Sequence, residues 1–121
     1  MSAAVMHSGA ARYLEEAQQV RGRLERLQKI GFEPFARRLA FGHHVTLEDI
    51  LSDKRCRAVS RARRHLAAVL RWTLAESYPD IGRHLGLDHT TVMAAEREWG
   101  KELEQFFGEP GDWTRLAKSK R

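Results

Sequence analysis

The chain has 121 residues, 42% of them hydrophobic and 31% charged, a length in the single-domain range and a composition too apolar for a disordered chain of high net charge. Lys and Arg number 21 against 16 Asp and Glu, for a formal charge of +5, an excess that points to a polyanionic partner. The single cysteine, Cys56, excludes an internal disulfide or a Cys-based metal cluster within one chain. With no secretory leader pattern and no apolar run of bilayer length, secretion and membrane insertion are disfavoured and a cytoplasmic location is expected.

Residues 1–10 are small and include Gly9, as expected of a loose leader. Tyr13, Ala17, Val20, Leu24 and Leu27 then alternate four- and three-residue steps, the spacing of an amphipathic helix with coiled-coil character. Two readings stay open for this stripe: packing on its own domain, or pairing with a second copy or a protein partner. Gly31 ends the helix, and a second opens near Glu33-Pro34, with Phe32, Phe35 and Leu39 on one face and Gly42 as the expected C-cap. Thr46 with Asp49 reads as a capping box for a short helix carrying Leu47, Ile50 and Leu51 inward.

From Lys54 to Ala75 there is no acid, whereas Lys54, Arg55, Arg57, Arg61, Arg63, Arg64 and Arg71 are basic. The spacing predicts a long helix from about Ala58 to Ala75, with Val59, Leu66, Val69, Leu70 and Thr73 inward and the arginines outward. Its basic end is its N-terminal end, against the preference of the helix dipole, so an external anion explains the placement better than local stability does. Ser77 and Asp80 frame another capping box with Pro79 in the first turn, and Gly86 stops that helix after Leu85. Asp88 caps the next, where Val92, Ala95, Trp99, Leu103 and Phe106 share a face. Gly108, Pro110 and Gly111 break it, and a tail with Trp113, Leu116 and a basic end from Lys118 follows. The fold class expected is all-α, a helix-turn-helix bundle with an extra N-terminal helix. Its parts are a leader and helix over 1–31, a core over 32–107 and a basic tail over 108–121.

Residues 77–99, SYPDIGRHLGLDHTTVMAAEREW, have the dimensions of a helix-turn-helix: about eight helical residues, a glycine-containing turn and a longer second helix. A helix that enters the major groove by its N-terminus needs short polar side chains or flat donors there, and His89, Thr90 and Thr91 supply them. The plainer alternative is that Asp88 and Thr91 only cap the helix and His89 only faces solvent.

Asp88-His89-Thr90-Thr91-Val92 matches the DHTTV motif of the C-terminal DNA-binding domain of the bacterial replication initiator DnaA, which the chain resembles from about Phe35 to Trp99. Ser77-Tyr78-Pro79-Asp80-Ile81-Gly82 resembles that family's S-L-P-E-I-G, and Lys54-Arg55-Cys56-Arg57-Ala58-Val59 with Arg61 and Arg63 resembles its basic loop. The resemblance implies binding of double-stranded DNA. Asp88, His89, Thr90 and Thr91 would read the major groove and Arg55 would enter a minor groove. Arg63 and Arg71 would touch phosphates, and Tyr78 and Pro79 would open a helix whose N-terminus approaches one. Arg57, Arg61 and Arg64 complete the basic segment. The turn Gly86-Leu87-Asp88 departs from the family's G-G-R-D in being one residue shorter and lacking its arginine, and Ala62 stands where the family often has proline.

No G-x-x-x-x-G-K phosphate loop occurs, and no nucleophile, base and orienter can be assembled from spacing, so neither an enzyme nor a cofactor is expected. His43-His44 reads as a loop pair rather than a metal site, and Cys56 as a small residue of a DNA-facing loop, with a redox role the lesser alternative. The expected function is sequence-specific binding of duplex DNA that regulates replication or transcription. The competing reading is an accessory module of a mobile element or phage acting through its N-terminal helix.

Overall fold

In the computed structural model, which describes residues 7–74 and 76–107, the chain runs through six helices: α1 (His7–Lys29), α2 (Glu33–Gly42), α3 (Leu47–Leu51), α4 (Arg57–Thr73), α5 (Tyr78–Leu85) and α6 (His89–Phe107). The architecture is all-α, a helix-turn-helix bundle preceded by an N-terminal helix. Within the described residues no helix is long and apolar enough to cross a membrane. The side chain of Phe106 and the tail over 108–121, with Trp113, Leu116 and the basic end, lie outside the described residues.

α1 begins at His7, inside the stretch expected to be a loose leader. Its apolar stripe divides. Leu27 is fully buried, and Val20 and Leu24 pack against the core, so the lower half rests on its own domain. Tyr13 and Leu14 on the upper half are 71% and 55% exposed. The helix closes with a Schellman motif, in which Phe32 N–H donates to Leu27 O at 2.9 Å and Gly31 N–H to Gln28 O at 3.1 Å, with Gly31 at φ +78°.

α2 ends in the same motif, but not at the residue the sequence suggests. The left-handed position is His44, at φ +62°, rather than Gly42. Its pattern is complete: Val45 N–H donates to Ala40 O at 3.0 Å and His44 N–H to Phe41 O at 3.0 Å. This carries Val45 back to pack on the core. Thr46 then caps α3 by accepting from Asp49 N–H at 3.0 Å, and Leu47, Ile50 and Leu51 are buried.

α4 is the central strut, packed most extensively against α6 and also against α5, α3 and α2. It runs Arg57–Thr73, starting one residue earlier and stopping sooner than expected. Val59, Ala62, Leu66, Val69, Leu70 and Thr73 are buried. Ser77 caps α5 by accepting from Asp80 N–H, and Gly86 at φ +71° turns the chain into α6, whose Val92, Ala95, Trp99 and Leu103 face inward. The turn folds closely back on α5, so a methyl on Gly82 would overlap the Leu87 carbonyl oxygen. Leu87 N–H donates to Gly82 O at 2.9 Å, closing the end of α5 past the left-handed Gly86.

Candidate nucleic-acid interface

The start of α6 is organised by one carboxylate. Asp88 Oδ1 accepts from Thr91 N–H at 2.8 Å and from the Thr90 hydroxyl at 2.8 Å. These bonds, the Thr91 amide first and the threonine hydroxyls after it, pull the Asp88 carboxyl well below the usual carboxylate range, to about 2. His89 and Thr90 are exposed and Thr91 is half-buried, so the first turn presents an imidazole and threonine methyls to solvent beside a permanent anion.

The basic loop is held from beneath, and here the structure corrects an expectation. Arg63 was expected to point outward with the other arginines of α4; it is buried, with 7% of its surface exposed. Its Nε donates to Ile50 O at 2.7 Å, and Nη2 reaches Ser52 O at 2.9 Å, Lys54 O at 2.8 Å and Asp49 O at 3.2 Å. The carbonyls at the end of a helix have no intrahelical partner and carry partial negative charge, so a guanidinium is drawn to them. Arg63 thus caps α3 and clamps residues 52–54 to α4 instead of standing free to meet a phosphate.

On this platform Arg55 is exposed. A cleft of about 290 Å³ lies between the loop and the turn of the helix-turn-helix, and Arg55, Arg63 and Arg64 line it together with Gly86, Asp88 and Thr91. Arg64 also pairs with Glu98 of α6 at 3.1 Å. Arg57 and Arg61 are exposed on the first turns of α4, and the Arg61 guanidinium lies 5.4 Å from the centroid of the Trp99 ring.

Arg71, Tyr78 and Pro79 form a separate group at the start of α5. The Arg71 guanidinium sits 4.3 Å over the Tyr78 ring, donates to Glu76 O at 2.9 Å and lies 3.5 Å from Glu96 of α6. The Tyr78 hydroxyl donates to the same Glu96 at 2.7 Å. Arg71 and Tyr78 are therefore half-buried and engaged, whereas Pro79 is exposed.

Beside Arg61, His65 stacks on Trp99 at 4.0 Å and shares a 2.8 Å hydrogen bond with His43. Burial, reinforced by His43 and Arg61, pulls the His65 pKa down to about 4, and burial likewise lowers His43. Among the described residues no cluster of His, Cys, Asp and Glu is arranged to hold a metal ion. Cys56 is exposed at the N-cap of α4.

Sequence reading passed over the residues behind these groups. Glu96 and Glu98, on α6 itself, tie it to α4 and α5. Their spacing from Trp99 marks them only as non-core positions, and nothing local names their partners. Gly82 carried a usable signal, a glycine inside a helix four residues before the turn glycine, which often denotes close approach.

The family model described as "Bacterial dnaA protein helix-turn-helix" matches residues 38–98. The chain is 34% identical over 89 residues to the chromosomal replication initiator protein DnaA of Bartonella quintana (strain Toulouse), covering 70% of this chain and 18% of that protein. It is 34% identical over 85 residues to DnaA of Nitrosomonas eutropha, covering 69% and 18%, and 32% identical over 72 residues to DnaA of Cereibacter sphaeroides (strain ATCC 17029), covering 59% and 16%. The chain therefore spans less than a fifth of the length of these curated relatives. No solved structure matches it.

Proposed function

The chain belongs to the bacterial DnaA helix-turn-helix family, and from that premise we propose that it binds double-stranded DNA in a sequence-dependent way, acts without catalysis of its own, and regulates replication or transcription in the cytoplasm. The observation that carries this reading is the shared cleft in which Arg55 and Arg64 stand beside Asp88 and Thr91. A minor-groove cation and a major-groove reading helix must reach one duplex together, and the cleft supports that requirement.

The roles follow from chemistry. His89, Thr90 and Thr91 meet base edges, the imidazole as donor or acceptor and the threonine methyls against the thymine methyl. Asp88 orients them and can accept from a cytosine amine. Arg55 suits a narrow A/T-rich minor groove, where negative potential is enhanced. Arg57, Arg61 and Arg64 meet phosphates, as does the α5 N-terminus at Tyr78 and Pro79. Arg71 acts through Tyr78 and Glu96, and Arg63 through the loop it clamps.

Selection of random duplexes at moderate salt, followed by titration of the winner against a scrambled duplex and a DnaA-type box, tests the reading. A site at least about tenfold tighter, equivalent to ~1.4 kcal/mol, is the expected result. Absence of enrichment overturns sequence reading. The exposure of Tyr13 and Leu14 favours a second, compatible role for α1 in holding a partner or a second copy.

A further inference from the structure

A second arginine-lined cleft, of about 510 Å³, lies on the other side of the helix-turn-helix turn, between α1 and α5. It shares Gly86 and Leu87 with the first and is bordered by Arg23 and Arg26 from α1 and by Arg83 from α5. Arg23 and Arg26 are three residues apart, on one helix face. Arg23 is committed to structure: it donates to Leu51 O at 2.6 Å and lies 4.0 Å from Asp53. Its guanidinium packs so closely on Gly86 that a methyl there would come within 2.6–2.9 Å of it. α1 is thereby strapped to the turn that launches the reading helix.

The other two arginines have charge to spare. Arg26 is exposed, its guanidinium reaches only the Arg83 carbonyl at 3.3 Å, and no carboxylate lies within 4.0 Å of it among the described residues. The Arg83 side chain is 67% exposed and, among the described residues, pairs only with Asp80, three residues away on its own helix, an exposed pairing of small worth that a phosphate can displace. A duplex that seats the start of α6 in its major groove carries phosphates past both sides of the turn. One side meets Arg64; the other meets this cleft.

We propose that α1 is part of the DNA interface, with Arg26 and Arg83 binding a backbone phosphodiester across the turn from the basic loop and Arg23 fixing the helix that carries Arg26. This rests on the duplex-binding reading above and extends it to a helix that lies before the residues matched by the family model.

The test is the salt dependence of binding by the full chain to the selected duplex and to a scrambled one, for wild type and for Arg26→Ala/Arg83→Ala. The expected result is a log-log salt slope shallower by about 0.9 for each phosphate contact removed. Affinity should fall on both duplexes alike, with thermal stability unchanged. Arg26→Lys/Arg83→Lys should keep the wild-type slope, and Arg38→Ala, which removes one exposed arginine away from the cleft, should not alter it. Wild type that binds while the double alanine variant keeps its slope overturns this inference alone, as does an equal change from Arg38→Ala. Wild type that binds no duplex overturns the DNA-binding reading together with it.

Discussion

An arginine that caps a helix from inside and an arginine that stands free in solvent make different demands on the protein, and substitution separates them. Arg63→Met keeps the aliphatic stem but strands carbonyls of Ile50, Ser52 and Lys54 in a partly desolvated place. The loss of several charge-assisted hydrogen bonds should lower stability by ~2 kcal/mol or more, measured by urea denaturation. Arg55→Ala should leave the urea midpoint almost unmoved and weaken binding to the preferred site. At the reading edge, His89→Ala and Thr91→Ala should each cost about 1 to 3 kcal/mol on the preferred duplex and less on a random one. Equal losses on both duplexes in a binding titration would remove His89 from its assigned role. Gly82→Ala forces a methyl toward the Leu87 backbone, where no flexible side chain can yield, and should destabilise the fold by about 1 to 3 kcal/mol. Arg63 also marks where sequence reading stops. In a basic run each arginine resembles its neighbours, and only the arrival of the carbonyl end of α3 against one of them decides which is inside.

Where elements meet, the histidine pair joins the C-cap of α2 to the middle of α4 and the flank of α6. The 2.8 Å bond between His43 and His65 needs one N–H and one lone pair, so the pair cannot hold a proton on all its ring nitrogens without breaking it. Arg61 faces the pair and opposes a further positive charge, as does His44 beside His43, while Glu98 weakly favours one. Both histidines are therefore neutral in the fold at neutral pH, and each has a folded pKa below its ordinary value. The unfolded chain binds protons first as pH falls, so stability present above pH ~6.5 drains away as pH approaches 4. Thermal midpoints measured across that interval should decline more steeply for wild type than for His65→Gln; parallel curves would sink this account. The helices and their caps were legible because Thr46, Ser77 and Asp88 announce starts, and Gly31 and Gly86 announce stops, by local chemistry. The end of α2 was not, because His44 takes a left-handed conformation that its type only tolerates, for a reason seated in the burial of Val45.

Across the molecule, α1 has two unequal halves. Leu27 belongs to the same core as Leu66, Leu70 and Ile81, so Leu27→Ala should cost about 2 to 5 kcal/mol by chemical denaturation. Tyr13→Ser/Leu14→Ser should leave folding intact, since those side chains face solvent. The division was half visible: periodicity marks the stripe but not how far the domain reaches along it. The candidate site was likewise visible as two segments, the basic run and DHTTV, while the cleft joining them depends on how α4 packs against α5 and α6.

The four-carbonyl grip of Arg63 has a consequence in time rather than in energy. A basic loop already clamped to its helix has little shape left to find, so in the proposed DNA-bound role it needs less rearrangement between encounter and docking. Long-range attraction from the exposed arginines then sets how often the two molecules meet. Under the proposed sequence-dependent binding, any difference between duplexes falls on how long the two stay together, in residence times rather than arrival rates.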